Sequence, residues 1–198
     1  MPHADASLIP NSIKSKPEFW AHVYTQLESL LMEENWVTNC ANATSLVYNS
    51  LLAFPAYFGD STDKAVNWCG VYLDSSYFPR PKTSSGPRTD ESARLLLGPF
   101  CGKPACQFIN VTSGKARGVC ADAFIQRRTV VVPNVDEYPG HIACDGETKS
   151  EIVVPLVTGV GETIGVLDLD CLALNGFDDH DKEGLEKIAK LIVDSSHW

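Results

Sequence analysis

No CxxC pair occurs among the seven cysteines of this 198-residue chain, which lie at 40, 69, 101, 106, 120, 144 and 171. Cys101-x4-Cys106 and His141-x2-Cys144 are the nearest approaches to a ligand pair, so no structural zinc or other metal is expected. An odd cysteine count in a domain of this size also argues against a secreted disulfide framework and for a reducing compartment. The opening Met1-Pro2-His3-Ala4-Asp5 has neither the basic start nor the apolar core of a secretory signal, and no apolar run approaches membrane-spanning length. A cytoplasmic location without a membrane partner is the expectation. Positive charge is scarce: 16 bases face 25 acids, for a formal net charge of -9. Polyanion binding relies on a local excess of Lys and Arg, so no nucleic acid is expected as a partner. The two basic spots, Arg127-Arg128 and Arg80-Pro81-Lys82, read as solvated surface. There is no internal repeat and no recurring βαβ alternation.

What is present is an ordinary globular composition, 44% hydrophobic and 21% charged, able to bury a core without disulfide staples. Residues 1–14 read as a flexible lead-in to a single domain over 15–198. Ser15-Lys16-Pro17-Glu18 has the form of a capping box, and Phe19, Trp20, Val23, Leu27, Leu30 and Leu31 follow at helical spacing, predicting a helix that ends near Glu34. A second helix is expected from about Thr38 to Ala53. The period then shortens: 66–73 alternates as a half-buried strand, with 93–98 as an antiparallel partner across an elongated Ser-, Pro- and Gly-rich connection, 74–92. A short helix over 118–125, a strand over 128–132, a long irregular loop over 135–149, and a hairpin of 151–157 with 163–170 follow. A last amphipathic helix starts at an Asp178 or Asp179 cap. The order implies an α+β fold, a mostly antiparallel central sheet flanked by N- and C-terminal helices.

Three groups of residues could carry chemistry. Cys144 sits in a turn-rich loop, Pro139-Gly140-His141-Ile142-Ala143-Cys144-Asp145, where a thiol is free to react if a neighbour lowers its pKa. His141 could do so, or could simply bond backbone. Glu151 opens one hairpin strand and Asp168 and Asp170 close the other, two apart and so on one face. With the turn centred near 160, Glu151 and Asp170 nearly oppose each other. Either these are solvated strand ends, or three acids converge near the Cys144 loop and raise one another's pKa. Trp68 and Tyr72 also share a face and fill core or wall a pocket suited to a thioether or methyl group.

Together these motifs resemble the free methionine-(R)-sulfoxide reductases, which are built on a single GAF domain. The resemblance runs from about Ser15 to the C-terminus. It rests on Asn67-Trp68-x-Gly70-x-Tyr72, Leu97-Gly98-Pro99-Phe100-x-Gly102-Lys103-Pro104-Ala105-Cys106, Gly118-Val119-Cys120, the Pro139–Asp145 loop, Ser150-Glu151-Ile152-Val153-x-Pro155-Leu156 and Gly165-Val166-Leu167-Asp168-x-Asp170. It implies that Cys144 attacks, that Cys106 forms a disulfide with it, and that Cys120 is a third cysteine acting as a relay or alternative resolver. It further implies that Glu151, Asp168 and Asp170 bind the substrate ammonium and sulfoxide oxygen, with Trp68 and Tyr72 around the methyl group. No bound cofactor is implied; the external reductant is thioredoxin, fed by NADPH through thioredoxin reductase. Many GAF domains pair through their terminal helices, so a homodimer is compatible with the resemblance. The chain departs from the pattern in its longer 74–92 connection, in the thirteen residues between Cys106 and Cys120, and in the additional Cys101. The alternative function for such a domain is a non-catalytic sensor that binds a small ligand in the same cavity.

Overall fold

A computed structural model describes residues 8–32, 35–59, 63–79, 93–142 and 145–198. Cys144, Arg80-Pro81-Lys82, residues 1–7 of the lead-in and most of the 74–92 connection lie outside the described residues. The elements, in chain order, are α1 (Lys16–Leu30), α2 (Trp36–Leu52), β1 (Val66–Asp74), β2 (Arg94–Gly102), β3 (Phe108–Asn110), α3 (Val119–Gln126), β4 (Val130–Val132), β5 (Ser150–Val157), β6 (Thr163–Cys171) and α4 (Asp179–Asp194).

The six strands form one antiparallel sheet in the order β3-β2-β1-β6-β5-β4. Period-2 alternation divides each central strand between two cores. Cys69, Val71 and Leu73 of β1, Ile152, Val154 and Leu156 of β5, and Leu167 and Leu169 of β6 face α1, α2 and α4 in the larger core. Trp68, Tyr72, Val153 and Val166 face the other way, toward α3.

The capping signals act as expected. Ser15 caps α1 with Glu18 reciprocating, and Asp178 caps α4 with Asp181 reciprocating. These two caps meet: buried Lys16 pairs with Asp178 at 2.9 Å and with Asp181, whose other oxygen accepts from Trp20 Nε1 at 2.9 Å. The terminal helices are thereby held side by side.

Several boundaries differ from the sequence reading. Helix α1 stops at Leu30, four residues short of Glu34, because Leu31 leaves helical geometry as its C-cap and turns into the core. Helix α2 starts at Trp36 because Asn35, whose side chain accepts from Thr38 N–H, is its cap. Strand β2 runs on past Gly98 to Gly102: the register slips between Gly70 and Tyr72, so Gly98 and Pro99 together oppose Val71 in a bulge, where Pro99 need not donate to the ladder. Strand β3 was not anticipated; it is a three-residue edge strand, too short to show a period. Short 3-10 turns, Ser75–Tyr77 and Val135–Glu137, occupy the starts of two segments read as irregular. None of the helices among the described residues is long and apolar enough to cross a membrane.

Candidate functional site

On the α3 side of the sheet lies a cavity of about 180 Å³. That is below the roughly 300–1,000 Å³ of sites for drug-sized ligands, and fits a smaller guest. Its floor comes from β1, β5 and β6, one wall from the β2–β3 connection and β3, and the other from the start of α3 with His141, Ile142, Asp145 and Thr148.

The floor carries the acids. Glu151 and Asp170 are register partners across β5 and β6, and Asp168, two residues earlier, shares their face. Glu151 and Asp168 are 5% and 7% exposed, placed where alternation would otherwise continue the apolar rows of Val153 and Val166. Burial raises all three above the ordinary carboxylate range. Glu151 reaches about 7, with the Asp170 charge adding to the effect and the His141 hydrogen bond opposing it. Asp168 is pushed well up by burial and by Glu151, and Asp170 by burial and by Asp168. Like-charged neighbours in a dry wall hold protons that isolated carboxylates release.

Cys120, on the first turn of α3, stands over these acids. Its Sγ lies 3.3 Å from Asp168 Oδ2 and 3.9 Å from Glu151 Oε1. Burial and the two carboxylates push its pKa well up, so it is a neutral thiol that donates to Asp168. Gly118 precedes the helix at φ 87°, a conformation glycine adopts without strain. The remaining oxygen of Asp168, Oδ1, is buried and has no hydrogen-bond partner. Cys120, Glu151 and Asp168 place one donor atom each within 4.8 Å of one another, the one grouping of this kind among the described residues. A metal ligand would need the thiolate, which burial disfavours here. An ammonium group asks only for the carboxylates.

The apolar side is a stack. The Trp68 indole lies between Tyr72, at 5.8 Å, and Phe100, at 5.6 Å between ring centroids. Gly70 makes this possible, since a Cβ there would sit 2.3 Å from Trp68 Cη2 and 2.5 Å from Phe100 Cβ. The polar ends of both rings then hold the β2–β3 connection: Trp68 Nε1 donates to the Lys103 carbonyl at 3.2 Å, and Tyr72 OH to the Cys106 carbonyl at 2.9 Å.

His141 does not bond only to backbone, the simpler of its two sequence readings. Its Nε2 is 3.2 Å from Glu151 Oε2, while its backbone N–H donates to the Tyr138 carbonyl. Ile142 and Asp145, the described residues nearest Cys144, both line the cavity. Asp145 is tied to the β2–β3 connection through Lys103 at 3.1 Å and to β1 through the Asn67 side-chain amide at 3.2 Å. Asn67 also donates to Thr148 at 3.0 Å. Sequence reading missed this tie, for which the nearest signal was the adjacency of Asn67 to Trp68 and of Lys103 to Gly102.

Of the residues singled out beforehand, Trp68, Tyr72, Cys106, Cys120, Glu151, Asp168 and Asp170 all line this one cavity. Cys101 does not. It lies opposite Cys69 and hydrogen-bonds Ser45 of α2, on the far face of the sheet.

A curled antiparallel sheet with helices packed on one face and a ligand-sized hollow on the other defines a GAF domain. A GAF domain family profile matches residues 83–194. The free methionine-R-sulfoxide reductase of Saccharomyces cerevisiae is 47% identical over 158 residues, 80% of this chain and 74% of the relative. A solved structure described as that of a GAF domain superposes with a TM-score of 0.80 at 41% identity, covering 98% of this chain and 96% of the other. The Neisseria meningitidis free methionine-R-sulfoxide reductase, solved in complex with its substrate, gives 0.73 at 34% identity, covering 96% and 95%. The chain belongs to the free methionine-R-sulfoxide reductases, a GAF-domain family of oxidoreductases.

Proposed function

We propose that the protein reduces free L-methionine (R)-sulfoxide to L-methionine, with thioredoxin as the electron source. The observation that carries this reading is the pairing of an aromatic wall with three buried acids, one of which keeps an unpartnered oxygen, Asp168 Oδ1. A free amino acid satisfies both at once. Its ammonium enters between Asp168 and Asp170, discharging their protons, and its methyl-sulfinyl end packs against Trp68 and Tyr72. Peptide-bound methionine sulfoxide has no ammonium, and leaving the carboxylates unpaired disfavours it by ~2–5 kcal/mol.

The chemistry then uses a proton and two thiols. Cys144, in the loop between the lining residues Ile142 and Asp145, attacks the sulfoxide sulfur as a thiolate, and Glu151 protonates the sulfoxide oxygen. The oxygen leaves on Cys144 as a sulfenic acid and methionine is released. Cys106 condenses with that sulfenic acid, forming a disulfide and one water, and a thioredoxin dithiol reduces the disulfide by exchange. The neutral Cys120 thiol serves in this scheme as a donor to Asp168.

An NADPH oxidation assay coupled through thioredoxin and its reductase tests the proposal. The R epimer of the free sulfoxide supports turnover, while the S epimer and the N-acetylated R epimer do not. Absence of turnover with the free R epimer would point instead to a ligand-binding sensor, and full activity in Cys144→Ser would overturn the attacking role of Cys144.

A further inference from the structure

On the sheet face away from the cavity, Cys69 of β1 and Cys101 of β2 are register partners. Directly opposed residues of an antiparallel pair point to the same face and have Cα atoms about 4.5 or 5.5 Å apart, depending on the hydrogen-bonding of the pair. Disulfides span Cα separations of about 4.4–6.8 Å, so either case lies within reach. Both side chains are thiols in the structure. Cys69 is fully buried in the helix-side core, while Cys101 is partly open. Two residues of α2 close over the pair: Ser45 hydrogen-bonds Cys101, and Tyr48 lies near enough to both sulfurs for their charge to act on its phenol.

We propose that Cys69 and Cys101 are a second redox-active dithiol, separate from the cavity thiols and oxidised by low-molecular-weight disulfides of the glutathione class. Exposure sets the order of events. Burial pushes the pKa of Cys101 up and that of Cys69 well up, so each reacts through a minor thiolate form and the exchange is slow. That thiolate of Cys101 attacks one sulfur of oxidised glutathione, the S–S bond breaks, and one glutathione leaves as a thiol, taking the proton Cys101 gave up. Cys69, deprotonated in turn, attacks Cys101 Sγ and displaces the second glutathione as a thiol. Two protein thiols are oxidised and one small disulfide is reduced.

The crosslink has a structural consequence at the cavity. Cys69 follows Trp68, and Cys101 precedes Gly102-Lys103, whose carbonyl accepts from Trp68 Nε1. Joining the two sulfurs fixes β1 to the strand end from which the Cys106 segment departs. The pair is distinct from the thiols of the proposed reductase reaction, and a readout by mass keeps failure of one separate from failure of the other.

Cys101 and Cys106 share a tryptic fragment, because Lys103 is followed by Pro104, so the test uses the full chain carrying Cys106→Ser. The protein is equilibrated at rising ratios of oxidised to reduced glutathione, denatured in N-ethylmaleimide and digested without reduction. The expected result is a linked pair of peptides holding Cys69 and Cys101, growing with the ratio as two alkylatable thiols disappear, and lost in both Cys101→Ser and Cys69→Ala. Should the core variant Cys69→Ala not fold, the partly exposed Cys101→Ser alone carries the control. Complete alkylation of Cys69 at every ratio, with Cys101 free or carrying only glutathione, would overturn the proposal.

Discussion

His141 Nε2 lies 3.2 Å from Glu151 Oε2, joining the loop that leads to Cys144 with the strand that carries the acids. Burial raises Glu151 to about 7, and the histidine holds it from rising further. A carboxyl poised there still carries a proton near neutrality and can give it to a departing oxygen. Activity is therefore expected to fall as pH climbs through that value. In His141→Ala the Glu151 pKa rises, so the alkaline limb of the kcat profile moves to higher pH. Glu151→Gln removes the limb and lowers kcat by roughly 10²–10⁴-fold, the usual size of a general-acid contribution. A limb unmoved in His141→Ala would separate the pair from the proton transfer.

The same acids weaken the empty protein. Glu151 moves from an ordinary 4.5 to about 7 and Asp168 shifts the same way. Between those values the native state holds protons that the unfolded chain has released, so stability of the ligand-free protein declines as pH rises through this window. Asp168→Asn keeps the shape and removes the charge. Its Tm at pH 8 should exceed the parent's by roughly 2–4 °C for each kcal/mol recovered, while KM for the free sulfoxide rises at least about tenfold. Thermal melts across pH, paired with steady-state kinetics, check both halves. A lower Tm at pH 8 contradicts the linkage.

Gly70→Ala places a methyl group where the Trp68 ring and Phe100 Cβ now are, at 2.3 and 2.5 Å. The indole has to leave its place between Tyr72 and Phe100, and with it the hydrogen bond to Lys103. KM is expected to rise and tryptophan fluorescence to shift. Overpacking of this kind destabilises by about 1–3 kcal/mol. Kinetics indistinguishable from the parent would mean that the stack does not hold the substrate.

Cys120 distinguishes two chemistries by substitution. As a neutral donor to Asp168 at 3.3 Å, it is replaceable by serine, so Cys120→Ser retains thioredoxin-dependent turnover within a few-fold. Cys120→Ala removes the donor and weakens substrate affinity. A redox relay through Cys120 would instead make both variants fail at recycling, which stopped-flow reduction of the oxidised protein would reveal.

Much of this arrangement is legible in the sequence because it follows from strand period and turn position. A hairpin turning near 160 places Glu151 opposite Asp170, and the structure has that register. The capping residues Ser15 and Asp178 likewise mark two helix starts before any tertiary contact is known. Pairings that depend on tertiary approach were not readable. The His141–Glu151 and Lys103–Asp145 contacts join segments whose spacing carries no period, and β3 forms because β2 offers it an edge. The side of the sheet taken by Cys101 depends on the bulge at Gly98-Pro99, which shifts the register behind it.

The most direct measurement is a single turnover without reductant. Reduced protein mixed with excess free L-methionine (R)-sulfoxide should release one methionine per chain, lose two titratable thiols, and yield one linked peptide joining Cys106 to Cys144. Methionine formed with no loss of thiols, or a linked peptide that excludes Cys144, would contradict the account.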